Sequence, residues 1–243
     1  MITPKELARV TMTEQKKASA KNDLFAFYIG RPISYVLTVP FLYLKIKPNT
    51  ISFLSFFPSI IGFLLLGFGS TKCLQIIGAV LFMIWNFMDG IDGNVARYTK
   101  QTSQLGTLWD ATSGYLAMML MYFAPGIAVM NVSETVMLGF VPDYYYIVLS
   151  GLTALFTMFS RLVMHKKILL FANGEGSELR EKENYSSIRL VMLNLTSPSG
   201  FINLILIGAV IFGLLRVFSI VYFVIYIGCI LGGIYERGRI YIY

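Results

Sequence analysis

Six stretches of this chain, at about residues 50–68, 73–91, 104–127, 144–164, 200–216 and 218–235, are runs of mostly apolar side chains. A helix needs roughly 20 such residues to cross the hydrocarbon core of a bilayer. Six runs of that length in 243 residues, 56% of them hydrophobic and 14% charged, are far more than one water-soluble interior can hide. In lipid every backbone N–H and C=O must find its partner inside the segment, which makes each run a helix. The fold class read from this pattern is all-α integral membrane, with six transmembrane helices.

Ahead of the first run, residues 1–23 are polar and basic, and residues 24–47 are apolar but interrupted by Gly30, Arg31, Pro32 and Pro40. That composition predicts an N-terminal amphipathic helix lying in the membrane interface rather than a further span. Lys47–Ser52 (KPNTIS) then brings a breaker and two cap residues in the order expected at a helix start. The chain so divides into an N-terminal segment with its interfacial helix, 1–49, and a six-span membrane domain, 50–243. With no apolar stretch close to residue 1, no cleavable signal peptide is expected. Cys73 and Cys229 fall within or beside predicted spans and suggest neither a disulfide nor a thiolate metal site. The longest polar stretch, Asn173–Ser187, is expected to be a mobile cytoplasmic loop.

A net charge of +7 invites a nucleic-acid reading, but its distribution argues against that partner. If the N-terminus is cytoplasmic, eighteen of the twenty Lys and Arg residues lie on the cytoplasmic side, leaving Lys72 and Arg216 outside. This is the positive-inside bias, and it places both termini in the cytoplasm. Basic residues at that surface suit anionic membrane lipids and phosphorylated substrates.

Three of the thirteen acidic residues, Asp89, Asp92 and Asp110, stand where the second run ends and the third begins. A charged Asp near the bilayer centre costs about 2.5–3.5 kcal/mol, so it persists where it pairs, meets water or binds something. Asp89 and Asp92 are spaced i,i+3 and share a helix face. Asp110 arrives from the antiparallel neighbour at similar depth. Three hard oxygen donors without His or Cys suit Mg²⁺ or Mn²⁺, one or two ions, rather than zinc. Divalent metal, the nearby Arg97 and small residues that allow close approach are what a pyrophosphate needs. Pairing of Asp89 and Asp92 with Arg97 and Lys100 would leave Asp110 unexplained. An ion path would spread ionisable groups over the midplane of several spans, whereas these crowd one edge of two.

The run DGIDGNVARYTKQTSQLGTLWD resembles the signature of the CDP-alcohol phosphotransferase family (CDP-alcohol phosphatidyltransferases), Asp-x2-Asp-Gly-x2-Ala-Arg-x8-Gly-x3-Asp-x3-Asp. Asp89, Asp92, Gly93, Ala96, Arg97, Gly106 and Asp110 stand at identical spacing. The segments RPISYVLT and KPNTIS also resemble the family's interfacial helix and the start of its first span.

The resemblance implies a divalent-metal-dependent membrane enzyme, often a homodimer. Such an enzyme moves a phosphoalcohol unit from a CDP-linked donor to an alcohol or lipid-phosphate acceptor and releases CMP, in the synthesis of phospholipids or related glycolipids and polymers. By position, it implies that Asp89, Asp92 and Asp110 hold metal on the donor pyrophosphate and that Arg97 pairs with a phosphate. Gly93 and Ala96 would admit the cytidine to the backbone. Asn49, Ser52, Ser103 and Gly106 would belong to the nucleotide pocket. The active site would lie on the cytoplasmic side.

One signature position departs. Where the family places a fourth Asp, usually assigned as general base for the acceptor hydroxyl, this chain has Gly114, flanked by the neutral Ser113 and Tyr115. Three readings follow. The acceptor is already an anion, such as a lipid phosphate; or another group takes the proton, for instance metal-bound hydroxide or the chain's only histidine, His165; or the site binds a nucleotide-linked lipid without turnover. Arg161, Lys166 and Lys167, near the end of the fourth run, suit an acceptor phosphate as well as they suit membrane anchoring.

Overall fold

The computed structural model describes residues 2–12, 17, 20–131, 142–170 and 187–240. The polar stretch Asn173–Ser187 lies almost wholly outside them. Every regular element among the described residues is helical: α1 (Pro4–Thr11), a π-helical turn (Ala26–Gly30) running into α2 (Arg31–Tyr43), α3 (Pro48–Leu54), α4 (Phe56–Phe68), α5 (Lys72–Thr99), α6 (Gln104–Asn131), α7 (Tyr144–Leu170), α8 (Ser187–Thr196), α9 (Ile202–Phe212) and α10 (Leu215–Ile240).

Among the described residues, four segments are long and apolar enough to cross a membrane: Pro48–Phe68, Lys72–Thr99, Gln104–Asn131 and Tyr144–Val163. The fifth and sixth expected spans fall on the shorter apolar helices Ile202–Phe212 and Leu215–Leu231. At 1.5 Å per residue, the 11 residues of α9 rise only about 16 Å, roughly half the hydrocarbon thickness. Gly213, in the left-handed region at φ 67°, turns the chain from α9 into α10 where a side chain would be strained.

The first span is not the single helix its hydropathy suggests. It breaks at Ser55, between α3 and α4. Pro58 has no N–H to offer the carbonyl of Leu54, four residues back. The Ser55 hydroxyl donates to the Ser52 carbonyl at 2.7 Å and meets Ser113 Oγ of α6 at 2.6 Å. These side-chain bonds fix the break and tie it to α6.

The N-terminal segment also carries more structure than its polarity suggests. Pro4 opens α1 and Thr3 caps it, accepting from the Glu6 N–H at 3.2 Å. One apolar side chain then does the anchoring. Leu7 is fully buried against Tyr35, Leu42, Ile51, Ile91 and Val95, a contact of about 1.5–3 kcal/mol. This small cluster ties α1, α2 and α3 to the last turns of α5.

The larger core joins α4, α5, α6, α7, α9 and α10 around Leu66, Phe82, Met121, Tyr122, Tyr146, Leu206 and Tyr226. Between membrane helices packing drives association, so small residues mark the close crossings. Gly62 and Gly78 meet where α4 crosses α5: a Cβ on Gly62 would stand 2.9 Å from the Gly78 carbonyl, and one on Gly78 would run into the Leu66 backbone. Gly78→Ala is therefore expected to destabilise the fold by about 1–3 kcal/mol through overpacking, read as earlier thermal unfolding in detergent. An unchanged transition would refute the crossing. At the far end of the bundle Arg216, itself buried, bonds Asp143 at 2.9 Å.

Candidate active site

The signature residues are carried by two helices joined by a four-residue turn. The connection between the second and third apolar runs, residues 92–103, is mostly helix, because α5 runs on through Thr99 and keeps Gly93, Ala96 and Arg97 in helical register. Glycines at 90 and 93 do not break it. Lys100, left-handed at φ 56°, ends the helix, and its N–H and that of Gln101 both bond the Ala96 carbonyl. Ser103 starts α6: its hydroxyl accepts from the Gly106 N–H at 2.9 Å and donates to Asn49 Oδ1 at 3.1 Å. One serine so caps α6 and ties it to α3.

Three elements close around a polar cleft of about 230 Å³. Pro48, Asn49 and Ser52 come from α3, Asp92, Gly93, Ala96 and Arg97 from α5, and Gly106, Thr107 and Asp110 from α6, with Gln101–Ser103 as one rim. Nine of the ten residues proposed from sequence line this one cavity. Gly106 lies against α3, since a Cβ there would collide with Asn49 Oδ1.

Asp89 does not line the cleft. It lies one turn deeper, its carboxyl group within hydrogen-bond reach of Asp110 across the two helices and within electrostatic reach of Arg161 on α7. Asp92 is buried and accepts a short hydrogen bond from the Ser52 hydroxyl. Asp110 is exposed to the cleft. Among the described residues no three acidic, His or Cys side chains are gathered into a ready coordination shell. The donor chemistry nonetheless fits a hard divalent cation. Asp89 and Asp110 abut, two like charges that need a proton or a cation between them, and Asp92 faces the same cavity as Asp110.

Arg97 lies along the cleft wall, and a Cβ on Gly93 would stand 3.1 Å from its Nη1 and Nη2. Its Nη2 donates to Asn94 Oδ1 at 3.0 Å. Gly114 is half-exposed with nothing within 4 Å of where its Cβ would stand, so the space beside it is open. The side chains of His165 and Lys167 lie outside the described residues, and Lys166 is exposed. Residues not anticipated from sequence are Gln101, Thr102 and Thr107 in the lining, and Asn94 with its partners Ser34 and Thr38 behind it. The i,i+4 spacing of Ser34 and Thr38 on an otherwise apolar helix is the signal that marks them.

The described residues thus form an all-helical protein with acids, an arginine and glycines around one polar cleft at a span junction. The profile of the CDP-alcohol phosphatidyltransferase family matches residues 45–231, and the chain belongs to that family of membrane phosphotransferases. No curated protein matches it.

Proposed function

We propose that this protein takes a CDP-linked donor into the cleft, transfers its phosphoalcohol unit to a phosphate-bearing acceptor and releases CMP, in the synthesis of a phospholipid or a related glycolipid or polymer. The observation that carries the reading is the convergence of the signature side chains with Asn49 and Ser52 on a single cavity. Arg97 pairs with donor phosphate. Asn49, Ser52, Ser103 and the small residues Gly93, Ala96 and Gly106 hold the nucleotide close to the backbone. Mg²⁺ or Mn²⁺ held by Asp89, Asp92 and Asp110 would neutralise charge on the pyrophosphate and on departing CMP.

Gly114 favours an acceptor that is already ionised. A phosphate oxygen of the acceptor attacks the β-phosphorus of the donor. The bond from that phosphorus to the bridging oxygen breaks, and CMP leaves with the bridging oxygen. The product is a diphosphate diester, and no proton has to be removed. The charge of Arg161 beside Asp89 supports an anion on that side of the acid pair. The same glycine also favours a second reading, a protein that binds a CDP-linked lipid without turning it over.

Incubating the purified protein and native lipid extract with a panel of CDP-alcohols separates the two. CMP release with a product mass matching a diphosphate linkage is expected. Tight binding of a CDP-alcohol with no CMP from any member of the panel would leave the binding-only reading standing.

The positive-inside bias supports a cytoplasmic site. In a background lacking Cys73 and Cys229, an impermeant maleimide added to intact cells is expected to label Ser70→Cys, exposed in the turn between α4 and α5. It is expected to spare Lys47→Cys, exposed at the start of α3. The reverse pattern would put the cleft on the opposite face.

A further inference from the structure

Behind the cleft wall, α2 is docked on α5 by a buried polar contact that the reaction above does not use. Asn94, Ser34 and Thr38 are all nearly inaccessible to solvent, and the two hydroxyls come from sequence positions 60 and 56 residues away. Gly90 permits the approach, since a Cβ there would stand 3.1 Å from Ser34 Cβ.

The hydrogens in this contact can be assigned one by one. The Ser34 hydroxyl donates to the Arg31 carbonyl at 3.0 Å, and the Thr38 hydroxyl to the Ser34 carbonyl at 2.6 Å. Each hydroxyl has one hydrogen, so both oxygens turn only lone pairs toward α5. The two hydrogens of Asn94 Nδ2 meet them, at 3.1 Å and 3.2 Å. An amide turned the other way would set its oxygen against two acceptors and leave buried groups unsatisfied, which is costly. Asn94 Oδ1 is thereby aimed at Arg97, whose Nη2 it receives at 3.0 Å. The guanidinium is held at Nη2 by this oxygen and lies over Gly93, where a Cβ would stand 3.1 Å from Nη1 and Nη2, and it lines the cleft.

We infer that Asn94 is a positioning residue for Arg97, and that its aim is set by Ser34 and Thr38 of the N-terminal helix α2. Phosphate recognition in the cleft thus depends on how α2 is seated against α5. Part of the entropy of ordering a long, exposed arginine is spent in folding rather than at the moment of binding. The inference rests on the assignment of the cleft to a CDP-linked donor.

The test is calorimetric titration of the full-length protein with CDP in the presence of Mg²⁺, for the parent, Asn94→Ala, Arg97→Ala and the double variant. Asn94→Ala is expected to weaken CDP by about tenfold, the scale of a hydrogen bond to a charged group. In the Arg97→Ala background the same change is expected to add nothing, because a residue acting only through the guanidinium has nothing left to act on. Thr38→Val keeps the shape of the side chain, removes one acceptor and is expected to weaken CDP about threefold, again only when Arg97 is present. Equal losses with and without Arg97 would make Asn94 a packing residue and overturn the inference, as would CDP affinity unchanged in both Asn94→Ala and Thr38→Val. A parent protein that does not bind CDP would overturn the donor assignment and this inference with it. A parent that binds CDP but ignores Asn94 and Thr38 would overturn the inference alone.

Discussion

Asp92→Asn and Asp110→Asn are each expected to abolish divalent-dependent binding of a CDP-alcohol while the protein still folds in detergent. The fold should survive for different reasons at the two sites. An asparagine at 92 keeps an oxygen that accepts from Ser52, the contact that buries this side chain. Asp110 is exposed to the cleft, and an asparagine there keeps a hydrogen-bonding group toward Asp89 while removing one of two like charges. Removing one hard ligand from a small cluster usually destroys high-affinity coordination, and the loss is expected to exceed about a hundredfold. Calorimetry with and without EDTA reads it directly. Affinity unchanged by both substitutions, or by EDTA on the parent, would sink the metal-dependent site.

Gly114→Asp carries the second large effect, and the open space around Gly114 makes it a clean experiment. With nothing within 4 Å of the new Cβ, the side chain starts into open space, so the change tests charge and catalysis with little steric cost at Cβ. If the acceptor is a phosphate, the new charge repels it. At about 6 Å and an effective dielectric near 20, two unit charges repel by roughly 3 kcal/mol, on the order of a hundredfold in rate. Turnover with the true acceptor is therefore expected to fall by about 10–100-fold. An alcohol acceptor would instead gain a base, and general-base catalysis typically supplies about 10²–10⁴-fold. A clear rise in CMP release with an alcohol would refute the anionic acceptor.

The site was more legible in the sequence than the fold around it. Hydropathy and spacing put Asp92, Asp110 and the nearby Arg97 at one edge of two neighbouring spans, and the family signature added Gly93, Ala96 and Gly106, all of which line the one cleft. Asp89 was grouped with them on helical phase, but its contact with Asp110 rather than with the cleft depends on how α6 is rotated against α5. No period within one helix reports that angle. The break at Ser55 was hidden for a related reason: hydropathy averages over a window, whereas the break comes from one missing N–H at Pro58 and two hydroxyl bonds, one of them to α6. Hydropathy does not mark α1, because its buried face is only Leu7 and Thr11, one apolar and one polar residue in a polar segment. The orientation of Asn94 was beyond any local reading, since it is decided by hydroxyls on another helix.

Two of the helices are longer than the oil they cross. α5 and α6 each have 28 residues, roughly 42 Å of helix, against about 30 Å of hydrocarbon. The surplus, about 12 Å or two turns, is sufficient to lift the end that carries Asp92, Arg97 and Gly106 out of the acyl layer and into the zone of the headgroups. Under the function proposed above, the scaffold would work as a pair of stilts, setting the height of the reaction at the phase boundary. A lipid reactant would then raise only its polar end, its tails staying in oil, and the spent nucleotide would step off directly into water.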